Sequence, residues 1–167
     1  ISCGENHNAA IKTDGTLWVW GINSYGQLGT NNVTNYSSPV QVGSATDWSV
    51  VTTGPYFTLA IKTTGTLWAW GRNNIGQLGT SNTTDYSSPV QVGALTTWSS
   101  VISGLIHTIA LKTDGTLWAW GYNDYGQLGT NNTTSYSSPV QIGSSTKWSE
   151  IYSAGDFHSL AIASETI

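Results

Sequence analysis

The sequence predicts an all-β fold, a β-propeller of four-stranded blades, on three observations. The stretch GTLWVWGINSYGQLGT at 15–30 returns as GTLWAWGRNNIGQLGT at 65–80 and as GTLWAWGYNDYGQLGT at 115–130, a period of fifty residues. Each period holds four short runs of strand-forming residues between Gly-, Pro- and Asn-rich turns, with no helical periodicity. All nine tryptophans fall at three register positions of the repeat. A unit recurring at this period stacks on its copies to build a shared core, and four short strands per unit make a blade.

The first strand of each period is Asn8–Thr13, copied as Thr58–Thr63 and Thr108–Thr113. Asp14-Gly15, Thr64-Gly65 and Asp114-Gly115 close these runs. Asp-Gly at such a place predicts a tight hairpin in which both central residues tolerate positive φ. The return strand, Thr16–Trp20, puts Trp18 and Trp20 on one face and Leu17 and Val19 on the other. Trp68 with Trp70, and Trp118 with Trp120, repeat the large face; Leu67 with Ala69, and Leu117 with Ala119, repeat the small one. Neither face is polar, so both must be covered, the tryptophans of one sheet filling space beside the small residues of its neighbour.

Next comes Gly21-x-Asn23-x-x-Gly26-Gln27-Leu28-Gly29, too glycine-rich for a helix or strand. It reads as a compact turn with Leu28 plugging the core and Asn23 and Gln27 satisfying loop backbone. It lacks the Gly-Lys-Ser/Thr ending of a phosphate loop. In the polar excursion that follows, Asn32, Asn82 and Asn132 open Asn-x-Thr triplets and Asn35 opens Asn-Tyr-Ser, the pattern of a glycan acceptor. Pro39–Val42 predicts a short strand with proline at its start, typical of a sheet edge. Trp48–Thr52, with Trp98 and Trp148 in register, supplies a fourth strand. Trp18, Trp20, Trp48, Trp68, Trp70, Trp98, Trp118, Trp120 and Trp148 are the expected structural core.

Only 8% of the residues are charged, the net charge is -4 and the pI is near 5.0. That balance excludes a strongly basic nucleic-acid surface. The polarity comes from Ser, Thr, Asn and Gly, a neutral skin of the kind found on extracellular and virion-surface β-proteins. This sets the expected location at a particle or cell surface, with the cytoplasm as the alternative. No apolar run is long enough to span a membrane. Cys3 is the sole cysteine and has no base beside it in sequence, so it reads as a small strand residue.

The combined pattern resembles the regulator of chromosome condensation repeat family. It comprises Gly104-Leu-Ile-His107-Thr-Ile-Ala-Leu111 (with Gly4-Glu-Asn-His7 as another copy), Asp-Gly, x-Leu-Trp-x-Trp-Gly-x-Asn, Gly-Gln-Leu-Gly and a later Pro-x-x-Val. The resemblance implies a ring of seven blades, or about 350 residues at this period. The chain of 167 residues holds about three and a third blades: 1–50, 51–100, 101–150 and part of a fourth at 151–167. It is therefore expected to be one repeat array within a larger propeller, closed by further repeats or another chain, since an open array exposes a tryptophan-rich face.

Three departures stand out. Phe57 occupies the slot of His7, His107 and His158, which points to a buried packing or hydrogen-bonding role for these histidines. The fourth copy carries one extra residue, predicting a bulge near Ala154. After Ile162 the repeat gives way to Ala163–Ile167.

For function, a non-enzymatic scaffold or interaction module is the leading expectation, a surface or virion structural or adhesion protein with a protein or glycan partner. Positions that differ between copies mark its candidate contacts: Ile22/Arg72/Tyr122, Ser24-Tyr25/Asn74-Ile75/Asp124-Tyr125 and Glu5/Pro55/Leu105/Asp156. Tyr25, Arg72, Tyr122, Asp124 and Tyr125 are singled out, because aromatics and Arg dominate contact energetics. The resemblance implies an alternative, guanine-nucleotide exchange on a small GTPase with chromatin attachment. That activity uses loops inserted outside the repeats, and these copies are near-uniform. A second alternative is an appendage of a larger secreted enzyme. No carboxylate pair, metal-ligand cluster or nucleophile–base pair stands at productive spacing, so no catalytic residue, metal or cofactor is assigned.

Overall fold

The structure is a computed structural model that describes residues 1–152, 155 and 158–164. The first sheet runs β1 (Ser2–Cys3), β2 (His7–Ile11), β3 (Leu17–Gly21), β4 (Tyr36–Gln41). The second runs β5 (Trp48–Thr53), β6 (Phe57–Lys62), β7 (Leu67–Gly71), β8 (Tyr86–Gln91). The third runs β9 (Trp98–Ser103), β10 (His107–Lys112), β11 (Leu117–Gly121), β12 (Tyr136–Gln141). A two-stranded sheet, β13 (Trp148–Tyr152) and β14 (Leu160–Ala163), follows. Within each sheet the strands pair antiparallel in sequence order. The first strands β1, β5, β9 and β13 pack side by side while the fourth strands splay apart, so the sheets converge on one axis as propeller blades do.

The axis selects small residues. Ser2 Oγ meets Thr53 Oγ1 at 2.9 Å and Thr52 Oγ1 meets Ser103 Oγ at 3.1 Å, each pair bridging adjacent blades. A Cβ on Gly4 would lie 2.5 Å from the Gly54 carbonyl oxygen, so only glycine permits that approach.

Three local expectations need correction. The hairpins are three-residue loops rather than two-residue turns. Gly15 N–H donates to the Lys12 carbonyl (2.9 Å), and φ is positive at Gly15 (+78°) but not at Asp14. The Asp14 carboxylate is used otherwise, accepting from Thr16 N–H (3.0 Å) and Thr16 Oγ1 (2.6 Å). This is why β-branched Thr64 can occupy the same place in the second blade. The third strand of the reading begins at Tyr36, so Pro39 sits inside β4; it is tolerated there because β4 is an edge strand with a register shift opposite Val19–Gly21. Trp48 opens the second sheet instead of closing the first, since the connection through Gly43 carries the chain across to the next blade. The bulge expected at Ala154 lies outside the described residues.

The core is built between blades. Trp48, Ala60 and Trp70 of the second blade pack on Ala9, Leu17, Val19, Leu28 and Val42 of the first. Trp98, Val101, Ala110 and Trp120 of the third pack likewise on Leu59, Leu67, Ala69, Leu78 and Val92 of the second. Trp48, Trp70, Trp98 and Trp120 are buried. Trp20 and Trp18 are half-buried, no blade among the described residues covering their face; Trp68, Trp118 and Trp148 are also half-buried. Trp70 Nε1 donates to the Gln27 carbonyl (2.9 Å) and Trp120 Nε1 to the Gln77 carbonyl (3.0 Å), so each indole ties its blade to the loop before it.

The hairpin end of the blades is also ordered by tryptophan. Lys12 stacks on Trp18 (3.7 Å) and Lys112 on Trp118 (3.5 Å). The Trp18 indole donates to Thr16 Oγ1 (2.9 Å), which donates to Asp14, and these bonds hold the carboxyl below its ordinary range. The same relay joins Trp118, Thr116 and Asp114. In the second blade Lys62 adds an ion pair with Asp47 (3.0 Å), the residue that leads into β5.

Candidate functional site

The end opposite the hairpins carries the residues that vary between copies. There the segment from Gly21 to Tyr36 is braced from within. Asn23 Oδ1 accepts from Leu28 N–H (2.9 Å), its Nδ2 donates to the Asn32 carbonyl (2.9 Å), and Gln27 Oε1 accepts from Tyr25 N–H (2.9 Å). Asn73 with Gln77, and Asn123 with Gln127, repeat this frame, and all six of these side chains are buried. The Asn-x-Thr asparagines belong to it too: Asn32 Oδ1 accepts from Thr34 N–H (2.8 Å), while Nδ2 donates to the Thr30 carbonyl (3.1 Å) and Tyr36 OH (3.3 Å). Asn35 Oδ1 accepts from Asn23 N–H (2.7 Å), a place taken by Asp85 and Ser135 in the other copies.

The loop is also clipped to the next blade. Asn31, at φ +59°, donates its N–H to the Ser87 carbonyl (2.8 Å), and Ser81, at φ +62°, donates to Ser137 (2.8 Å). Held by buried amides and clipped at the rim, the frame presents residues 22, 24 and 25, and their copies, from a fixed backbone.

Two groups of side chains result. Tyr25 of the first blade meets Tyr56 of the second edge-on, with ring centroids 5.3 Å apart. The Arg72 guanidinium lies 4.8 Å from the Tyr25 centroid and 5.7 Å from that of Tyr56. In the third blade Tyr122 and Tyr125 meet edge-on at 6.0 Å, and Tyr125 is 72% exposed. The Tyr122 phenol is held above its ordinary value by desolvation first and by Asp124 beside it second. The structure thus joins Tyr25 to Arg72, and Tyr122 to Asp124 and Tyr125, as two groups. Sequence reasoning missed Tyr56, although it too varies in register, with Asn6 and Ile106 as its copies.

Of the other variable slot, Glu5 is exposed, Pro55 buried and Leu105 half-buried; Asp156 lies outside the described residues. His7 and His107 are buried, and His7 Nε2 meets Thr58 Oγ1 at 2.8 Å. The Thr58 hydroxyl proton goes to the Gln27 carbonyl (2.8 Å), so the threonine can only accept from the imidazole, which fixes His7 as the Nε2–H tautomer. His107 Nε2 meets Ser159 Oγ at 2.9 Å. Burial pushes both imidazoles down to about 4, and they are neutral links between blades. His158 is exposed, as is Cys3. Among the described residues no group of three His, Cys, Asp or Glu could hold a metal ion, and no helix is long and apolar enough to cross a membrane.

Comparison with known proteins adds the following. A family model described as Regulator of chromosome condensation (RCC1) repeat matches residues 14–61, 64–111 and 114–162, and a second model of the same description matches 49–77. The 14–61 match spans β3 to β6, so the sequence repeat gives two strands to one blade and two to the next. The chain is 48% identical over 50 residues to the X-linked retinitis pigmentosa GTPase regulator of Canis lupus familiaris, covering 29% of this chain and 5% of that protein. It is 45% identical over 51 residues to the ultraviolet-B receptor UVR8 of Arabidopsis thaliana, covering 30% and 12%. Among solved structures, Prp20p from Saccharomyces cerevisiae, described with its binding to Gsp1p and histones, superposes with a TM-score of 0.79 at 20% identity, covering 96% of this chain and 42% of that one. That likeness is one of fold, and the chain spans less than half the length of each of these relatives.

Proposed function

The chain belongs to the regulator of chromosome condensation repeat family, and on that premise we propose that it is a non-enzymatic interaction module contacting a protein partner through the face that carries Tyr25, Arg72, Tyr122, Asp124 and Tyr125. One observation carries this reading. The repeats keep the same buried amide frame in all three copies and change the side chains it displays, and Tyr25 and Arg72 come from different blades to one place. A rigid frame with changing tips is how binding residues are carried on a scaffold, and aromatic and Arg side chains contribute most per contact. A location at a particle or cell surface is supported by the neutral Ser-, Thr- and Asn-rich skin.

The test is replacement of Tyr25, Arg72, Tyr122 and Tyr125 by alanine, one at a time and together. For a partner that binds the unaltered protein, the quadruple variant should lose about 2 kcal/mol or more of affinity, about thirtyfold. Unchanged affinity in the quadruple variant refutes the assignment. The family name and the GTPase regulator among the relatives favour guanine-nucleotide exchange as a second reading. It requires faster nucleotide release from a small GTPase on addition of the protein, and that release assay separates the two.

A further inference from the structure

We infer that the Tyr25–Tyr56–Arg72 cluster is a receptor for a carboxylate side chain, Asp or Glu, presented by a partner protein segment with apolar residues beside it. This rests on the reading of that face as the contact surface and specifies its chemistry.

The guanidinium is already positioned. Two rings 5.3 Å apart and set at 68° hold its centre at 4.8 and 5.7 Å, so part of the cost of ordering a long side chain is met before a partner arrives. Among the described residues no hydrogen bond or ion pair of the guanidinium accompanies these ring contacts, so its N–H donors are left for an acceptor. No described carboxylate supplies one: the ion pair among the described residues is Lys62–Asp47, at the other end of the blades. Arg72 is half-buried, so an acceptor there meets a partly desolvated cation, and a planar carboxylate matches its donor fork.

Charge on the rest of the face narrows the partner. Lys12, Lys62, Lys112 and Lys147 all stand at the hairpin end, leaving Arg72 as the one Lys or Arg at this end among the described residues, together with the acids Glu5, Asp85 and Asp124. A polyanion such as nucleic acid would meet one favourable and three unfavourable charges. A single carboxylate can pair with Arg72 directly, the neighbouring Asp85 carboxylate being engaged by Asn73 N–H (2.6 Å). At the next blade boundary Ile75, Ile106 and Tyr122 stand in the register of Tyr25, Tyr56 and Arg72, so the neighbouring boundary offers apolar and aromatic side chains where this one offers the cation.

The probe is a displayed library of random peptides selected on the purified protein, followed by affinity measurement on Arg72→Gln, Arg72→Lys, Tyr25→Ala/Tyr56→Ala and Tyr122→Ala/Tyr125→Ala variants that keep the parental far-UV spectrum. Selected peptides are expected to share an Asp or Glu, to weaken about tenfold or more on Arg72→Gln and on the Tyr25/Tyr56 pair, and to weaken less on Arg72→Lys. Binding should also fall as salt is raised. Peptides without a common acid, or indifferent to Arg72→Gln, overturn the inference, as does a single-stranded oligonucleotide that binds through Arg72. Peptides that depend on Tyr122 and Tyr125 but not on Arg72 sink this inference and leave the contact face standing. Peptides that depend on neither group sink both.

Discussion

The contact between the second and third blades can be tested at one atom, the Gln77 carbonyl oxygen. It accepts two buried donors from the third blade, Thr108 Oγ1 at 2.9 Å and Trp120 Nε1 at 3.0 Å. Thr108→Val preserves shape and removes one bond, costing about 1 kcal/mol, because the carbonyl keeps its other donor. Trp120→Phe removes the other bond and opens space beside Gly79, whose Cβ position lies 2.7 Å from the indole nitrogen. Its expected cost is about 2–3 kcal/mol, bond and cavity together. The double variant leaves a buried carbonyl with neither donor and carries the desolvation penalty that each single variant escapes. The two changes should therefore exceed their sum by about 1 kcal/mol or more. Urea denaturation of the four proteins followed by far-UV circular dichroism measures this, provided the m-value is unchanged. Additivity within about 0.5 kcal/mol would refute the shared-acceptor account.

Two further outcomes follow from the geometry. His7 and His107 are neutral in the fold and titrate near 6.5 when unfolded, so the unfolded chain takes up protons first as pH falls; stability is whole above 6.5 and drains away through the window down to about 4. Each should cost about 2 kcal/mol between neutral pH and about pH 5, and His107→Phe, which copies Phe57, should remove that share of the pH slope; an unchanged slope in urea titrations would contradict the assignment. Gly76 and Gly126 share a φ near +77°, at +78° and +76°, but a Cβ on Gly76 would lie 2.5 Å from Ser137 Cα, whereas one on Gly126 meets nothing within 4 Å. Gly126→Ala should then cost the left-handed backbone alone, about 1–2 kcal/mol, and Gly76→Ala about 1–3 kcal/mol more; equal midpoints in thermal melts would show that the rim contact contributes nothing.

Much of the blade was legible because it is written three times. A tryptophan at the same register in each copy, a glycine where φ is positive, and an amide pair that braces a loop are local requirements, and repetition separates them from chance. The hairpin was misread for a local reason as well: Asp-Gly suits a two-residue turn, yet Thr64 in the same place marks a loop in which glycine alone takes positive φ. Of the candidate contacts, the variable positions were visible, but Tyr56 was passed over because it lies on a different loop from Tyr25 and Arg72. Only packing of the second blade against the first brings the three together.

The sequence by itself determined the period, the strand count and the chemistry of each face, because backbone preference and alternation act over a few residues. It could not determine the phase, since a periodic string reads equally well from any starting point. Tertiary structure decided that the Trp48 strand opens a blade, that Trp70 and Trp120 tie into the blade before their own, and that one arginine is clasped by tyrosines from two blades. Those outcomes depend on contacts thirty to fifty residues apart, as from Gln27 to Thr58 and Trp70, which local preference does not encode.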